Sequence, residues 1–238
     1  NIYRAYLNAR KSKRYRKDVL VFTRNLEHNL ISIQDELKNE IADYPKYREF
    51  YIYEPKCRLI LAQNFREVIK QWAFYQVLSP LFNSMYIYDS YACIKGKGQI
   101  AAIKRLHYWL KLVNKNYYNA VKKGVEPSPQ DKWYYLKMDF SKYFYRVDHE
   151  VMMKIIRKKI KDEKVVRWLE SRIKSPDMPF GLPAGKRPED VEPNERLYDK
   201  GMPVGALISQ MLANVYNNEI DQYAKRTLGI RYYIRYQD

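Results

Sequence analysis

Asp139 follows a run rich in β-forming residues, Trp133-Tyr134-Tyr135-Leu136-Lys137-Met138, and Asp238 follows another, Ile230-Arg231-Tyr232-Tyr233-Ile234-Arg235-Tyr236-Gln237. Carboxylates at the ends of adjacent strands can converge. Such a pair can hold two divalent ions about 3.5 to 4 Å apart, the arrangement that in-line attack of a 3′-hydroxyl on a triphosphate requires. One ion lowers the pKa of the attacking hydroxyl and the other neutralises the departing pyrophosphate. Mg²⁺, or Mn²⁺ in its place, suits the site because carboxylates, waters and substrate phosphates complete its octahedral shell. An aspartate at a strand end is by itself more often a cap or a surface charge, so its meaning depends on its surroundings.

Those surroundings favour phosphate. The run Phe50 to Ile60 reads as two short strands turning around Pro55, which puts Lys56 and Arg58 at a hairpin tip. A guanidinium bridges phosphate oxygens in a bidentate way, while an ammonium acts as a point charge. Lys95-Gly96-Lys97-Gly98 alternates cations with residues that permit close backbone approach. The opening Ala9-to-Lys17 run, with Lys11, Lys13 and Arg14, can follow a phosphate backbone or serve as a solvated arm. Forty-four Lys and Arg against 27 Asp and Glu leave a net charge of +17, which points to a polyanionic partner. The 24 tyrosines add aromatic faces on which bases can stack.

Other chemistries find no support. Cys57 and Cys93 are the only cysteines and show no zinc spacing, which fits a reducing cytoplasm. His28, His107 and His149 have no mutual metal-ligand spacing, His149 reads as a helix-start contact, and no Ser/His/Asp nucleophile is evident. The sequence has no run of eighteen apolar residues and opens without a signal-peptide plan, so no membrane association is expected.

The elements that must position these groups can be read from periodicity. Leu26, Leu30, Ile33, Leu37 and Ile41 fall on one face of an amphipathic helix ended near Pro45. Helical patterning recurs over 66–81, 100–113, 150–160 and 207–223, and Trp133–Phe140 and Ile230–Tyr236 read as strands. Residues 175–200, dense in Pro, Gly and charge, form a long loop, the kind that in compact domains is functional or mobile. The class is α+β.

Three blocks, in order, resemble reverse transcriptases. Asp139-Phe140-Ser141-Lys142-Tyr143-Phe144, followed by Val147-Asp148-His149, looks like their first palm motif. Gly201-Met202-Pro203-Val204-Gly205-Ala206-Leu207-Ile208-Ser209-Gln210, with Ala213-Asn214-Val215-Tyr216, is similar to their second block, and Tyr236-Gln237-Asp238 to the start of their Tyr-x-Asp-Asp box. Glu54 to Ile60, Asp89-Ser90-Tyr91-Ala92-Cys93 and the Lys-Gly repeat resemble fingers motifs. Ser209-Gln210 and the Asp-Ser-Tyr-Ala-Cys block are most like the enzymes of diversity-generating retroelements, with those of group II introns as close relatives.

The resemblance implies a right-hand polymerase fold, with fingers over 1–130, a palm over 131–238 built on a small antiparallel sheet bearing Asp139 and Asp238, and no thumb. It implies a chain cut within the Tyr-x-Asp-Asp box and weak or inactive alone. Asp139, Asp238 and the Phe140 carbonyl would be metal ligands. Lys56, Arg58, Tyr143, Phe144, Val204 and Gly205 would face the nucleotide, with Phe144 excluding a 2′-hydroxyl. Lys11, Lys13, Arg14, Lys95, Lys97, Ser209, Gln210 and Tyr236 would face nucleic acid. Val204 stands where many relatives carry a Gln that contacts the nucleotide, which implies low fidelity. Partners would be an RNA template and primer, deoxynucleoside triphosphates and an accessory protein. The rival implication is an RNA-binding maturase or defence protein that keeps the fold without using its active site.

Charge alone generates a prediction. RNA affinity should fall linearly in log–log terms with salt, by on the order of a thousandfold from ~50 to ~200 mM if about six or more phosphates are neutralised. Filter binding across a salt series measures it, and a flat response would remove the polyanion reading.

Overall fold

The computed structural model describes residues 1–39, 44–54, 57–126 and 128–237. Ile41, Pro55, Lys56 and Asp238 lie outside them. Chain contacts divide the protein into two compact units, Asn1–Met85 with Lys142–Tyr216, and Tyr86–Ser141 with Asn217–Asp238. Each unit is assembled from two stretches of chain.

In the first unit, α1 (Ile2–Ala9), α2 (Lys17–Arg24) and α3 (Leu26–Lys38) pack with α4 (Phe65–Asn83). The spacing read from α3 is realised: Ile33 is fully buried, and Leu26, Leu30 and Leu37 pack against the same cluster as Ala5, Tyr6, Phe22, Phe65 and Ile69. Full burial of side chains such as Ile33 and Ile69 stabilises the fold by roughly 1.5–3 kcal/mol each. Tyr6, Phe22 and Phe65 meet ring to ring, with Phe22 and Phe65 edge-on at 5.4 Å. The Arg10–Arg16 stretch is an exposed turn between α1 and α2, with Lys11, Lys13 and Arg14 in solvent.

The two strands expected over 50–60 form, with Arg58 opening the second of them; Pro55 and Lys56 lie outside the described residues. β1 (Tyr47–Ile52) pairs antiparallel with β2 (Arg58–Gln63), with Ile52 opposite Arg58. Further along the chain come α7 (His149–Lys159) and α8 (Glu163–Ile173), N-capped by the Asp148 and Asp162 carboxylates. Residues 175–200 form a loop with two single 3₁₀ turns, pinned to β1 by Arg196, which donates to Glu49 at 2.5 and 3.4 Å.

The second unit contains α5 (Gln99–Val113), α6 (Lys115–Lys122), the 132–141 stretch and the end of α9 (Leu207–Gln222). α9 passes into a π-helical turn, Tyr223–Thr227. Here the expected palm sheet is corrected. Among the described residues the only sheet is β1–β2. Trp133–Phe140 is not a strand, and Ile230–Tyr236 contributes a single parallel bridge, Ser90 to Arg235. β-rich composition describes a residue's fit to a pleated, half-buried surface, which a partner strand must supply. Tyr134 and Tyr135 are 90% exposed and no ladder forms along them. No described helix is long and apolar enough to cross a membrane.

The first unit also buries charge. Arg172, on α8, donates to Glu67 at 2.8 Å; Lys70 bonds both Glu67 and Glu36 at 2.8 Å, and Arg66 also reaches Glu36. Trp168 lies under the Arg172 guanidinium and stacks on Phe74 at 3.6 Å, joining α8 to α4. Removing one partner of a buried pair leaves the other charge desolvated. Glu67→Gln should therefore cost about 3–5 kcal/mol in urea unfolding. Asp18→Asn, which breaks the exposed Arg16 pair, should cost under about 1 kcal/mol.

Candidate nucleotide and nucleic-acid site

The three segments expected to face a nucleotide meet in the first unit through backbone hydrogen bonds. Phe144 C=O accepts from Met202 N–H at 2.7 Å, Val147 C=O from Gly201 N–H at 2.8 Å, and Asp199 C=O from His149 N–H at 3.1 Å. A short antiparallel pairing thus aligns the Phe144 segment with Gly201–Gly205. Val204 C=O in turn accepts from Leu61 N–H of β2 at 3.1 Å, attaching the hairpin.

Glycine is required at two points in this assembly. Gly201 has φ of +90°, and a Cβ there would lie 2.5 Å from the Phe180 carbonyl carbon. Gly205 has φ of +101° but faces open space, with only the Ile60 side chain at 3.4 Å. Its backbone is therefore exposed beside the hairpin.

Around this frame, Arg58 is exposed and has no ion-pair partner among the described residues, while Phe144 and Val204 are half-buried. Tyr143 serves differently from expectation. It is buried, donates its hydroxyl to Ala213 C=O at 2.9 Å and packs edge-on to Phe144, so it supports its neighbour. Ser209 is likewise buried in the first turns of α9 and offers nucleic acid no surface, whereas Gln210 is exposed. Alternation of apolar and polar residues did not distinguish them, because burial at both positions comes from packing remote in sequence.

The segments carrying the aspartates belong to the second unit. The Tyr232 ring meets Trp109 at 5.5 Å and Trp133 at 5.8 Å, which brings the start of the Asp139 segment against the segment leading to Asp238. Asp139 is exposed and, among the described residues, free of any cation partner. An unpaired, solvated carboxylate is the donor a hard divalent cation takes. No set of three or more metal-ligating side chains clusters among the described residues. Phe140 and Tyr236 are each partly exposed.

Of the Lys-Gly repeat, Lys95 is exposed. Lys97 donates to Tyr88 C=O and lies 4.7 Å over the Tyr88 ring, so its charge is held by the protein itself. Burial lowers its pKa, opposed by Asp89. A cleft of about 380 Å³ beside α7 and α8 is lined by Asp148, Glu150, Glu170 and Asp199 but also by Lys154, Arg157 and Lys174. Lys154 pairs with Glu150 and Lys174 with Glu170 across this lining.

No protein-family model matches the chain. Eighty-five residues are 34% identical to Protein YkfC of Escherichia coli (strain K12). The match covers 36% of this chain and 19% of YkfC, so the chain spans less than a fifth of that relative's length.

His149 opens α7, as its spacing suggests, and locks the glycine segment. Its Nε2 lies 2.6 Å from Gly201 C=O, which fixes a proton on Nε2 and leaves Nδ1 buried without a hydrogen-bond partner among the described residues. Burial lowers the His149 pKa, with the Gly201 bond opposing. The folded value lies below the unfolded one near 6.5, so the unfolded chain takes up more protons as pH falls through that range. The contribution of His149 to stability is complete above about pH 6.5 and declines below it. His149→Gln, which retains a donor for Gly201, should flatten the loss of unfolding free energy between about pH 7 and pH 5. Urea titrations at each pH measure it.

Proposed function

We propose that the protein is an RNA-templated DNA polymerase that joins a primer 3′-hydroxyl to deoxynucleoside triphosphates. The observation that carries the reading is the backbone frame in the first unit, which ties Phe144, Val204 and Gly205 to the Arg58 hairpin by bonds of 2.7 to 3.1 Å. These residues lie far apart in sequence, Arg58 has no ion-pair partner among the described residues, and the Gly205 backbone is open.

Each side chain has a task in that chemistry. Arg58 would bridge triphosphate oxygens. Phe144, braced by Tyr143, would occupy the space of a 2′-hydroxyl. Gly205 would admit the nascent pair, since no Cβ stands in its way. The +17 charge, with Lys11, Lys13, Arg14 and Lys95 in solvent, would hold template and primer. Asp139 and Asp238 would hold divalent cations, which when bound supply the acidity for the hydroxyl and the counter-charge for pyrophosphate.

Primer extension by the natural full-length protein tests this. Asp139→Ala should lower synthesis by about 10²-fold or more while RNA affinity stays within about twofold. Phe144→Ala should raise ribonucleotide incorporation roughly tenfold relative to deoxyribonucleotide. Unchanged extension by Asp139→Ala would sink the assignment and leave RNA binding without catalysis as the reading.

A further inference from the structure

Arg235 is 7% exposed and stands three residues before Asp238. Its Nε donates to both oxygens of Asp221, at 2.9 and 3.0 Å, and one terminal nitrogen donates to Asp221 at 2.9 Å and to Ser90 Oγ at 3.1 Å. Asp221, on the last turn of α9, is fully buried and also accepts from Tyr233 at 2.8 Å. The Arg235 backbone is held on both sides, its N–H on Asp89 C=O at 3.1 Å and its C=O by Tyr91 N–H at 3.0 Å. With its planar head fixed in this way, the remaining terminal nitrogen reaches forward 2.8 Å to the carbonyl of Gln237. Gln237 has φ of +65°, a left-handed conformation uncommon for a residue with a side chain, and it precedes Asp238 directly.

We propose that Arg235 is a positioning residue for the polymerase site. Its guanidinium, oriented by Asp221 and Ser90, holds the Gln237 carbonyl and so fixes the backbone of the residue that precedes Asp238 in sequence. The inference rests on the polymerase reading for its consequence, not for its geometry. A buried ion pair needed only for stability would have no reason to reserve a donor for a carbonyl in a left-handed turn. Lysine, with one compact head, could face Asp221 but could not span Asp221, Ser90 and Gln237 together.

The decisive variant is the pair Arg235→Met with Asp221→Asn, which removes both charges at once, nearly keeps volume and leaves Tyr233 an acceptor. Replacing a buried pair by neutral groups is often close to neutral for stability. In the natural full-length protein, the midpoint of thermal unfolding should move by only a few degrees and template–primer affinity by less than about twofold. The rate constant for single-nucleotide incorporation with Mg²⁺ should fall by about 100-fold or more, with the nucleotide KM within about threefold. Amide exchange over 236–238 should quicken by about tenfold, independently of activity.

Arg235→Lys should show the same split with a rate loss of about tenfold, and it decides the matter if the double variant does not fold. A folded double variant with wild-type rate, or unchanged exchange at 236–238 in the folded variants, would overturn the proposal. Absence of synthesis by the wild-type protein would instead overturn the polymerase reading, with the exchange data still judging the clamp.

Discussion

Backbone crosses backbone at Gly181 and Gly201 more closely than any side chain permits, and the first unit's site depends on that approach. A Cβ on Gly181 would meet Leu197 and the Lys200 carbonyl within 2.9 Å, and one on Gly201 would meet the Phe180 carbonyl at 2.5 to 2.6 Å. A Cβ at either position would drive the strands of chain apart. The approach lets Gly181 exchange both backbone hydrogen bonds with Leu197 at 3.0 Å and lets Gly201 and Met202 bond to the Val147 and Phe144 carbonyls. His149 then clips the Gly201 carbonyl from the start of α7. Phe144, Val204 and the β2 strand inherit their places from this crossing.

Charge is used in two opposite ways. Most of the surplus cations, including Arg58, Lys11, Lys13, Arg14 and Lys95, remain in solvent, where their charge costs folding little. A minority are buried with matched carboxylates: Arg172 and Lys70 with Glu67, Arg196 with Glu49, and Arg235 with Asp221. Buried pairs add little net stability because desolvation offsets their attraction, but their geometry is directional. Apart from Lys70–Glu67, which lies within α4, each of these joins separate segments: α4 to α8, hairpin to loop, and α9 to the segment before Asp238. They specify where chain segments lie more than how firmly they lie there.

The helices were legible because each carries its own signal. The apolar spacing of 26, 30, 33 and 37 is reproduced by α3, the helical pattern over 66–81 by α4 (Phe65–Asn83), and 150–160 by α7 (His149–Lys159). The hairpin was legible from its β-rich arms. Trp133–Phe140 misled because strand formation is decided by a partner, and its aromatic residues stand largely in solvent. α8 and the roles of Arg196 and Arg235 left little trace, since an arginine reads the same whether it ends in water or on a buried carboxylate.

The sequence by itself determined the amphipathic helices, the hairpin, the excess positive charge and the choice of Asp139, Phe144 and Gly205 as residues to examine, because periodicity, composition and motif spacing are local properties. Tertiary structure decided which of those residues act as surfaces and which as supports. Tyr143 and Ser209 turned inward, Lys97 settled on the Tyr88 ring, and Gln237 took a left-handed turn against Arg235. The physical reason is that burial and hydrogen-bond partnership are set by segments as much as 147 residues apart, as Arg196 and Glu49 are, and no window along the chain contains both partners.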